Sequence, residues 1–132
     1  MRLNLLARHA TASFALLAAF GCEAATDPTT PREAAGVYAL DSVTGRGPVS
    51  GSFTLTADGK AERRVRYANF PIEYVATGTF DVTAPRILFS LYEQGSIPPY
   101  EWIVRGELNG RRFSIHYPDP ADGPDIVETY RR

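Results

Sequence analysis

Cysteine and histidine are nearly absent from this chain, and their scarcity excludes several kinds of site. The 132 residues include one cysteine, Cys22, and two histidines, of which only His116 lies beyond the first 22 residues. An internal disulfide needs two cysteines, and the usual zinc sites need clusters of cysteine and histidine. No glycine-rich phosphate-binding loop is present either. The sequence therefore excludes a disulfide framework, a zinc site of this type and a phosphate-binding loop.

Residues in the pattern of a catalytic or calcium site are also missing. His116 is predicted to point outward, beside Ser114, and the sequence specifies no nucleophile or orienting partner for it. Asp119, Asp122 and Asp125 lack the spacing and the distal glutamate of a calcium-binding loop, so we interpret their segment as a turn-rich loop. We therefore expect a protein that is not an enzyme and that has no cofactor or bound metal. A hydrolase site on the loops is the least favoured alternative.

The first 22 residues differ in kind from those that follow. Arg2 and Arg8 give a positive start, and residues 10–20 form an apolar run that is too short to span a bilayer, which together indicate a secretory signal peptide. Loss of residues 1–21 removes two of the 14 basic side chains and none of the 15 acidic ones, so the mature chain has a formal charge of −3. This charge gives no reason to expect nucleic acid as a partner.

The signal ends in the sequence Ala19-Phe20-Gly21-Cys22, which resembles the lipobox of bacterial lipoproteins. The resemblance implies that the chain is cut before Cys22 and that this residue is lipidated, so that the mature protein is anchored in a membrane. By the sorting rule of that family, Glu23 implies the outer membrane of a Gram-negative cell envelope. An ordinary cleaved signal with an unpaired thiol is the alternative. Residues 22–35 are rich in Ala, Thr and Pro and are predicted to form a flexible tether to a domain at 36–132.

Within this domain the apolar residues recur with a period of two, which is typical of half-buried β-strands. No helix is expected after the signal peptide. The inward face of the first strand stays ambiguous between Tyr38/Leu40 and Val37/Ala39. The predicted strands are residues 36–44, 50–56, 60–68, 75–82, 87–93, 100–108, 111–117 and 126–131.

Three tight connections set the predicted registers, because cross-strand partners must share a face. The loop 57–59 is expected to be a type I turn followed by Gly59 as a bulge, and Asn109-Gly110 is expected to form a type I′ turn. The predicted pairs are Leu55–Ala61, Phe53–Arg63 and Gly51–Val65 around 57–59, Val82–Ile87 and Phe80–Phe89 around 83–86, and Gly106–Phe113, Val104–Ile115 and Trp102–Tyr117 around Asn109-Gly110.

Eight sequential antiparallel strands bury one face by closing into a barrel or by splitting into a sandwich. Closure removes free edge strands, so we predict an all-β fold, a small eight-stranded antiparallel up-and-down barrel, with a β-sandwich as the alternative. The opening Gly36-Val37-Tyr38, with Tyr38 where lipocalins have Trp, resembles the calycin group and is similar to the lipocalin-like domains of bacterial lipoproteins. The resemblance implies this barrel and, as a common use, the binding of small apolar ligands.

A meander places alternate connections at the same end, so the long loops at 45–49, 69–74, 94–99 and 118–125 should surround one mouth. Strand parity places a set of aromatic residues inward near that mouth, where they suit a flat or apolar ligand. Arg63 is predicted to point inward near the tight-turn end, where it reaches the loop carbonyls with its stem packed over the core, pairs with an acid or binds an anionic group of a ligand. The candidate ligand-binding residues are Tyr67, Tyr74, Leu91, Tyr100, Trp102, Tyr117 and Arg63. A barrel filled by its own side chains is the alternative.

These observations favour an exported, lipid-anchored, non-enzymatic module that binds a small apolar ligand. The competing hypothesis is a protein-interaction or structural module that presents its outer face or its proline-rich mouth loops to a partner in the cell envelope. Because the tether and the C-terminus both emerge at the tight-turn end, the mouth is predicted to face away from the membrane.

Overall fold

A computed structural model describes residues 26–132, so the predicted signal peptide and Cys22 lie outside the described residues. Each strand pairs with its neighbours in sequence, and the first also pairs with the last. The prediction of a closed eight-stranded antiparallel up-and-down barrel is thereby confirmed over the sandwich. Among residues 26–132, no helix has both the length and the apolar character that crossing a membrane requires. The elements are α1 (Pro31–Ala34), β1 (Gly36–Thr44), β2 (Ser50–Leu55), β3 (Lys60–Arg66), β4 (Glu73–Thr83), β5 (Arg86–Glu93), β6 (Glu101–Asn109), β7 (Arg112–Tyr117) and β8 (Ile126–Arg131).

The hairpin between β2 and β3 has the predicted register and turn. All three pairs predicted around the loop 57–59 are observed: Leu55–Ala61, Phe53–Arg63 and Gly51–Val65. The Gly59 N–H donates to the carbonyl of Thr56 at 3.1 Å, and Gly59 has φ +83°, the left-handed conformation of a bulge after a type I turn. The β4–β5 register is confirmed as well, with only Ala84-Pro85 outside the paired strands.

The predicted register of β6 with β7 is wrong by two residues. Gly106 pairs with Ile115, and Leu108 pairs with Phe113. The loop is therefore Gly110-Arg111, and Gly110, with φ +59°, is its first residue, as a type II′ turn requires. A slip of two residues keeps every side chain on its face, so matching of apolar faces does not distinguish the two registers. In the observed register Leu108 pairs with Phe113, whereas the predicted register would pair it with Arg111.

The expectation of no helix after the signal peptide is also wrong. Thr30 caps α1, its hydroxyl accepting a hydrogen bond from the N–H of Glu33 at 3.2 Å, and Pro31 occupies the first turn. Ala34 is fully buried, and the Tyr38 hydroxyl donates to its carbonyl at 2.8 Å. The C-terminal part of the predicted tether therefore packs against the barrel, where it covers the tight-turn end.

The hydrophobic core fills the half of the barrel next to the tight turns. Tyr38 is fully buried while Val37 is 64% exposed, which decides the inward face of β1. Aromatic rings from β2, β5, β7 and β8 pack against one another with centroids 4.9–5.4 Å apart. These rings belong to Phe53, Phe89, Phe113 and Tyr130. The other half of the barrel, toward the long loops, is not filled in this way.

Candidate functional site

A cavity of about 1120 Å³ lies at the end of the barrel that carries the long loops. Arg63, Tyr67, Tyr74, Tyr100, Trp102 and Tyr117 line it, so the structure brings together six of the seven candidate residues. Leu91, the seventh, is fully buried in the hydrophobic core instead. Tyr100 is 62% exposed and lies on the rim rather than inward, because it precedes β6 and strand parity does not apply to it.

An ion pair forms the floor of the cavity. Arg63 Nη2 lies 2.5 Å from Glu128 Oε1, and Arg63 Nε donates to Glu128 Oε2 at 3.3 Å. The side chains are 7% and 0% exposed. Arg63 therefore pairs with an acid, one of the three roles predicted for it. Its predicted place near the tight-turn end is wrong, because its long side chain crosses the barrel interior from β3 to reach β8.

Two tyrosine hydroxyls complete the hydrogen bonding of this carboxylate. Tyr117 donates to Glu128 Oε1 and Tyr130 donates to Oε2. Each oxygen therefore accepts one hydrogen bond from the guanidinium and one from a phenol. Saturation of this kind is what allows a charged group to be buried.

Burial and charge hold these groups in a definite ionisation state. Burial raises the pKa of the Tyr117 hydroxyl above its ordinary value, and the negative charge of Glu128 raises it further. Burial is also the main reason why the pKa of Tyr130 is raised. Burial would lower the pKa of Arg63, but the charge of Glu128 and smaller contributions outweigh it, so this pKa is raised. The cluster thus holds a charged arginine and two neutral phenols.

Aromatic rings form the walls above this floor. The Arg63 guanidinium carbon lies 5.1 Å from the centroid of the Trp102 ring, within range of a cation–π interaction. Trp102 and Tyr117 meet edge to face at 5.1 Å, and Tyr67 and Tyr74 do so at 5.4 Å. Trp102 and Tyr117 contact each other although they are not cross-strand partners. These rings offer a flat apolar body large contact surfaces.

The cavity also opens sideways, between β6 and β7. The pairing of these strands ends at Arg105–His116, whereas β6 stays paired with β5 as far as Glu101. Ile103 is 62% exposed on the outer face of β6, and it lines the same cavity as Trp102. A ligand would therefore have two routes to the aromatic walls, through the mouth and through this gap.

An ion pair and close polar contacts hold the loop at 118–125 beside the mouth. Arg46 Nε lies 3.0 Å from Asp119 Oδ2, and the Ala121 N–H donates to Asp119 Oδ1 at 2.9 Å. The pKa of Asp119 is lowered mainly by the hydrogen bond from Ala121 and, to a smaller extent, by Arg46. His116 is exposed, as predicted, with Nε2 2.9 Å from Asp125 Oδ2. No group of three or more potential metal ligands occurs in residues 26–132.

Sequence reasoning missed Glu128 and Tyr130. The signal was present in β8, where Ile126, Glu128 and Tyr130 alternate and share the inward face. A single acid at an inward position in the same barrel as an inward arginine indicates a buried ion pair.

Comparison with protein-family models, with curated proteins and with solved structures found no match for this chain.

Proposed function

We propose that this protein is an exported, lipid-anchored, lipocalin-like module that binds a small apolar ligand in the cavity and catalyses no reaction. The observation that carries the proposal is the cavity of about 1120 Å³ with aromatic walls and one ion pair at its floor. Sites for small ligands are typically concave and mostly apolar, with volumes of about 300–1,000 Å³ and few polar groups. The volume of the cavity is of this order, and aromatic residues line its inner part, whereas its rim carries charged side chains.

The lipid anchor rests on the sequence Ala19-Phe20-Gly21-Cys22 at the end of the signal peptide. The start of the described chain is compatible with this anchor, because Asp27 accepts a hydrogen bond from the N–H of Gly110 in the last tight turn at 2.6 Å. An anchor at Cys22 would hold the barrel by its closed end and leave the cavity open to the surrounding compartment.

A binding titration with a neutral apolar probe tests the proposal. We expect N-phenyl-1-naphthylamine to bind at one saturable site and to quench Trp102, the only tryptophan, by energy transfer. Ala76→Phe puts a ring into the cavity and should weaken binding at least tenfold. Thr77→Phe, on the outer face of the same strand, is the matched control and should leave the affinity unchanged. Circular dichroism confirms that each variant is folded, and Ala76→Leu is the milder substitute.

Either of two results would contradict ligand binding in the cavity. One is an Ala76→Phe variant that is folded and binds the probe as tightly as the unaltered protein. The other is the absence of saturable binding by the unaltered protein.

A specific observation favours a second candidate, the protein-interaction module. Four large apolar residues on the mouth loops are 56–98% exposed, and exposed apolar clusters mark interaction surfaces. They are Phe70, Ile72, Ile97 and Tyr100. For this candidate, Ile97→Ser and Ile72→Ser, which change residues that do not line the cavity, should abolish cross-linking to an envelope protein without changing the affinity for the probe.

A further inference from the structure

The cavity floor presents hydrogen-bond donors that have no partner among residues 26–132, in a cluster without net charge. From these features, and resting on the proposed function, we infer the chemical class of the ligand. It is an uncharged apolar molecule with an acceptor oxygen, such as a ketone, ester or amide, that accepts a hydrogen bond from Arg63 Nη1. The same floor discriminates against carboxylates.

The free donors belong to Arg63. A guanidinium carries five N–H groups, and Glu128 is bonded only to Nε and Nη2. Nη1 makes no hydrogen bond to any residue in 26–132. No fully buried side-chain nitrogen or oxygen in this range lacks a partner, so Nη1 must retain contact with the cavity that Arg63 lines. A side chain that is only 7% exposed thus directs unpaired donors at the space above it.

The acceptors of the cluster are already used. Both oxygens of Glu128 accept two hydrogen bonds each, from Arg63 and from the hydroxyls of Tyr117 and Tyr130. A ligand group that only donates hydrogen bonds would therefore find the carboxylate saturated. A ligand oxygen that accepts a hydrogen bond matches the groups that remain.

The charge balance favours a neutral oxygen over a carboxylate. The charges of Arg63 and Glu128 cancel, and both phenols stay protonated because their pKa values are raised. A ligand carboxylate would add an uncompensated negative charge close to Glu128 in a partly desolvated site. The rest of the cavity lining does not compensate for it, since it contains two arginines, Arg46 and Arg105, and four acidic residues.

The aromatic walls define where the rest of the ligand lies. The Trp102 ring packs against the Arg63 guanidinium, so a flat body beside Trp102 would bring a substituent oxygen within reach of Nη1. Tyr67 and Tyr74 face the same space.

Three naphthalenes of matched shape test the inference at pH 7.5, with affinities measured by displacement of N-phenyl-1-naphthylamine. They are 2-acetylnaphthalene with a neutral acceptor, 2-naphthoate with a negative charge, and 2-ethylnaphthalene with neither. We expect the ketone to bind about tenfold tighter than the hydrocarbon, the usual effect of a hydrogen bond to a charged group. The naphthoate should bind most weakly.

Removal of the negative charge should reverse this order. In Glu128→Gln the charge of Arg63 is no longer cancelled, and naphthoate should gain at least tenfold and become the tightest ligand. Glu101→Gln, which removes an acid from the rim, is the matched control and should keep the ketone first. The double variant Arg63→Met/Glu128→Leu makes the floor apolar, and the ketone should then bind within about twofold of the hydrocarbon.

The outcomes separate the inference from the proposed function. Equal affinities for ketone and hydrocarbon, or tightest binding of naphthoate, in the unaltered protein would overturn the inference and leave ligand binding in place. Failure of all three compounds to displace a bound probe would overturn the inference alone, whereas absence of saturable binding of the probe itself would overturn both. If Glu128→Gln does not fold, Arg63→Met/Glu128→Leu still tests the role of the floor. An unchanged preference of this double variant for the ketone over the hydrocarbon would overturn the inference.

Discussion

Arg63 and Glu128 form the one ion pair in residues 26–132 in which both side chains are buried. Desolvation of two charges offsets much of their attraction, so the pair as a whole adds little to stability, while loss of one partner leaves the other charged and buried. The hydroxyls of Tyr117 and Tyr130 depend on the same carboxylate. These four residues therefore behave as one unit.

Comparison of a single variant with the double variant tests this coupling. We expect Glu128→Leu to lower the free energy of unfolding by about 3–5 kcal/mol, because it leaves the Arg63 charge buried without a partner. Arg63→Met/Glu128→Leu should cost much less than the single variant. Urea denaturation measures both, with Lys60→Met at the exposed pair with Asp58 as a control that changes stability by less than about 0.5 kcal/mol. A double variant as unstable as the single one would contradict the coupling.

Three tyrosine hydroxyls with raised pKa values should make the stability of the protein depend on pH in the alkaline range. The pKa values of Tyr38, Tyr117 and Tyr130 are raised, chiefly by burial, above the ordinary value of about 10. The unfolded chain would then lose these three protons near pH 10 while the folded chain keeps them. Their contribution to stability is complete below pH 10 and is lost as the pH rises above it.

Absorbance at 295 nm follows tyrosine ionisation. Of the seven tyrosines, we expect the three with raised pKa values to ionise only when the protein unfolds, in step with the loss of the far-ultraviolet circular dichroism signal. Tyr117→Phe should remove one of these delayed ionisations. A single titration of all seven tyrosines near pH 10 in the folded protein would rule this out.

At the scale of the strands, close approach of backbones explains three glycines in strand interiors. A Cβ added to Gly78 would lie 1.9 Å from the Ser90 carbonyl oxygen on β5, and one on Gly51 or Gly106 would lie 2.4 or 2.5 Å from the carbonyl of a neighbouring strand. Glycine inside a strand often marks such a contact or a sharp bend in a barrel. These glycines allow β2, β4 and β6 to curve into the closed sheet.

Gly78→Ala tests this role. The methyl group would force β4 away from β5, because the contact is with backbone rather than with a side chain that can rotate. We expect a loss of about 3 kcal/mol in the free energy of unfolding, at the upper end for overpacking. Thr79→Ala, the exposed neighbour on the same strand, should change it by less than about 0.5 kcal/mol. Equal effects of the two substitutions would show that the backbones can separate at little cost.

The hairpins also show how far apolar patterning predicts pairing. In the β2–β3 hairpin the pattern excludes a slip of one residue, which would turn Phe53 and Leu55 to solvent, and the type I turn with its Gly59 bulge sets the loop length. The β6–β7 register does not follow from the pattern, because a slip of two preserves both faces. The type II′ turn at Gly110-Arg111 depends on contacts from elsewhere, including the bond from the Gly110 N–H to Asp27.

At the scale of the whole molecule, both ends of the described chain lie at the tight-turn end. Asp27 binds the Gly110 N–H, and the Arg132 N–H donates to the carbonyl of Arg111 at 3.1 Å. The five residue steps from Cys22 to Asp27 span at most about 18 Å. This is about half the length of β4, which has 11 residues and extends over about 36 Å.

Spin labels on the protein in vesicles, held by the proposed lipid anchor, test the orientation that this geometry predicts. A label at Ala57→Cys, in a tight turn, should be broadened by a lipid-soluble relaxation agent. A label at Asn69→Cys, on a mouth loop, should respond only to a water-soluble one. The reverse pattern would place the mouth against the membrane. A protein that stays unlipidated, and is released from the membrane, would contradict the lipid anchor itself.

The sequence by itself determined the strands, their order and which side of the sheet most residues face. Those properties are local, since a period of two in the apolar residues specifies both an extended backbone and the face that is buried. The meander order alone also predicted that the tight turns lie at one end of the barrel and the long loops at the other.

Only the tertiary structure decided which half of the barrel is filled and what lies at the floor of the other half. Arg63 and Glu128 are 65 positions apart and lie on strands that are not neighbours in the sheet. They face each other because β8 pairs with β1 and closes the barrel, which brings inward side chains together across its interior. Alternation along a strand specifies whether a side chain points inward or outward, but not which residue it meets across the barrel interior. The ion pair and the cavity above it therefore depend on closure of the barrel.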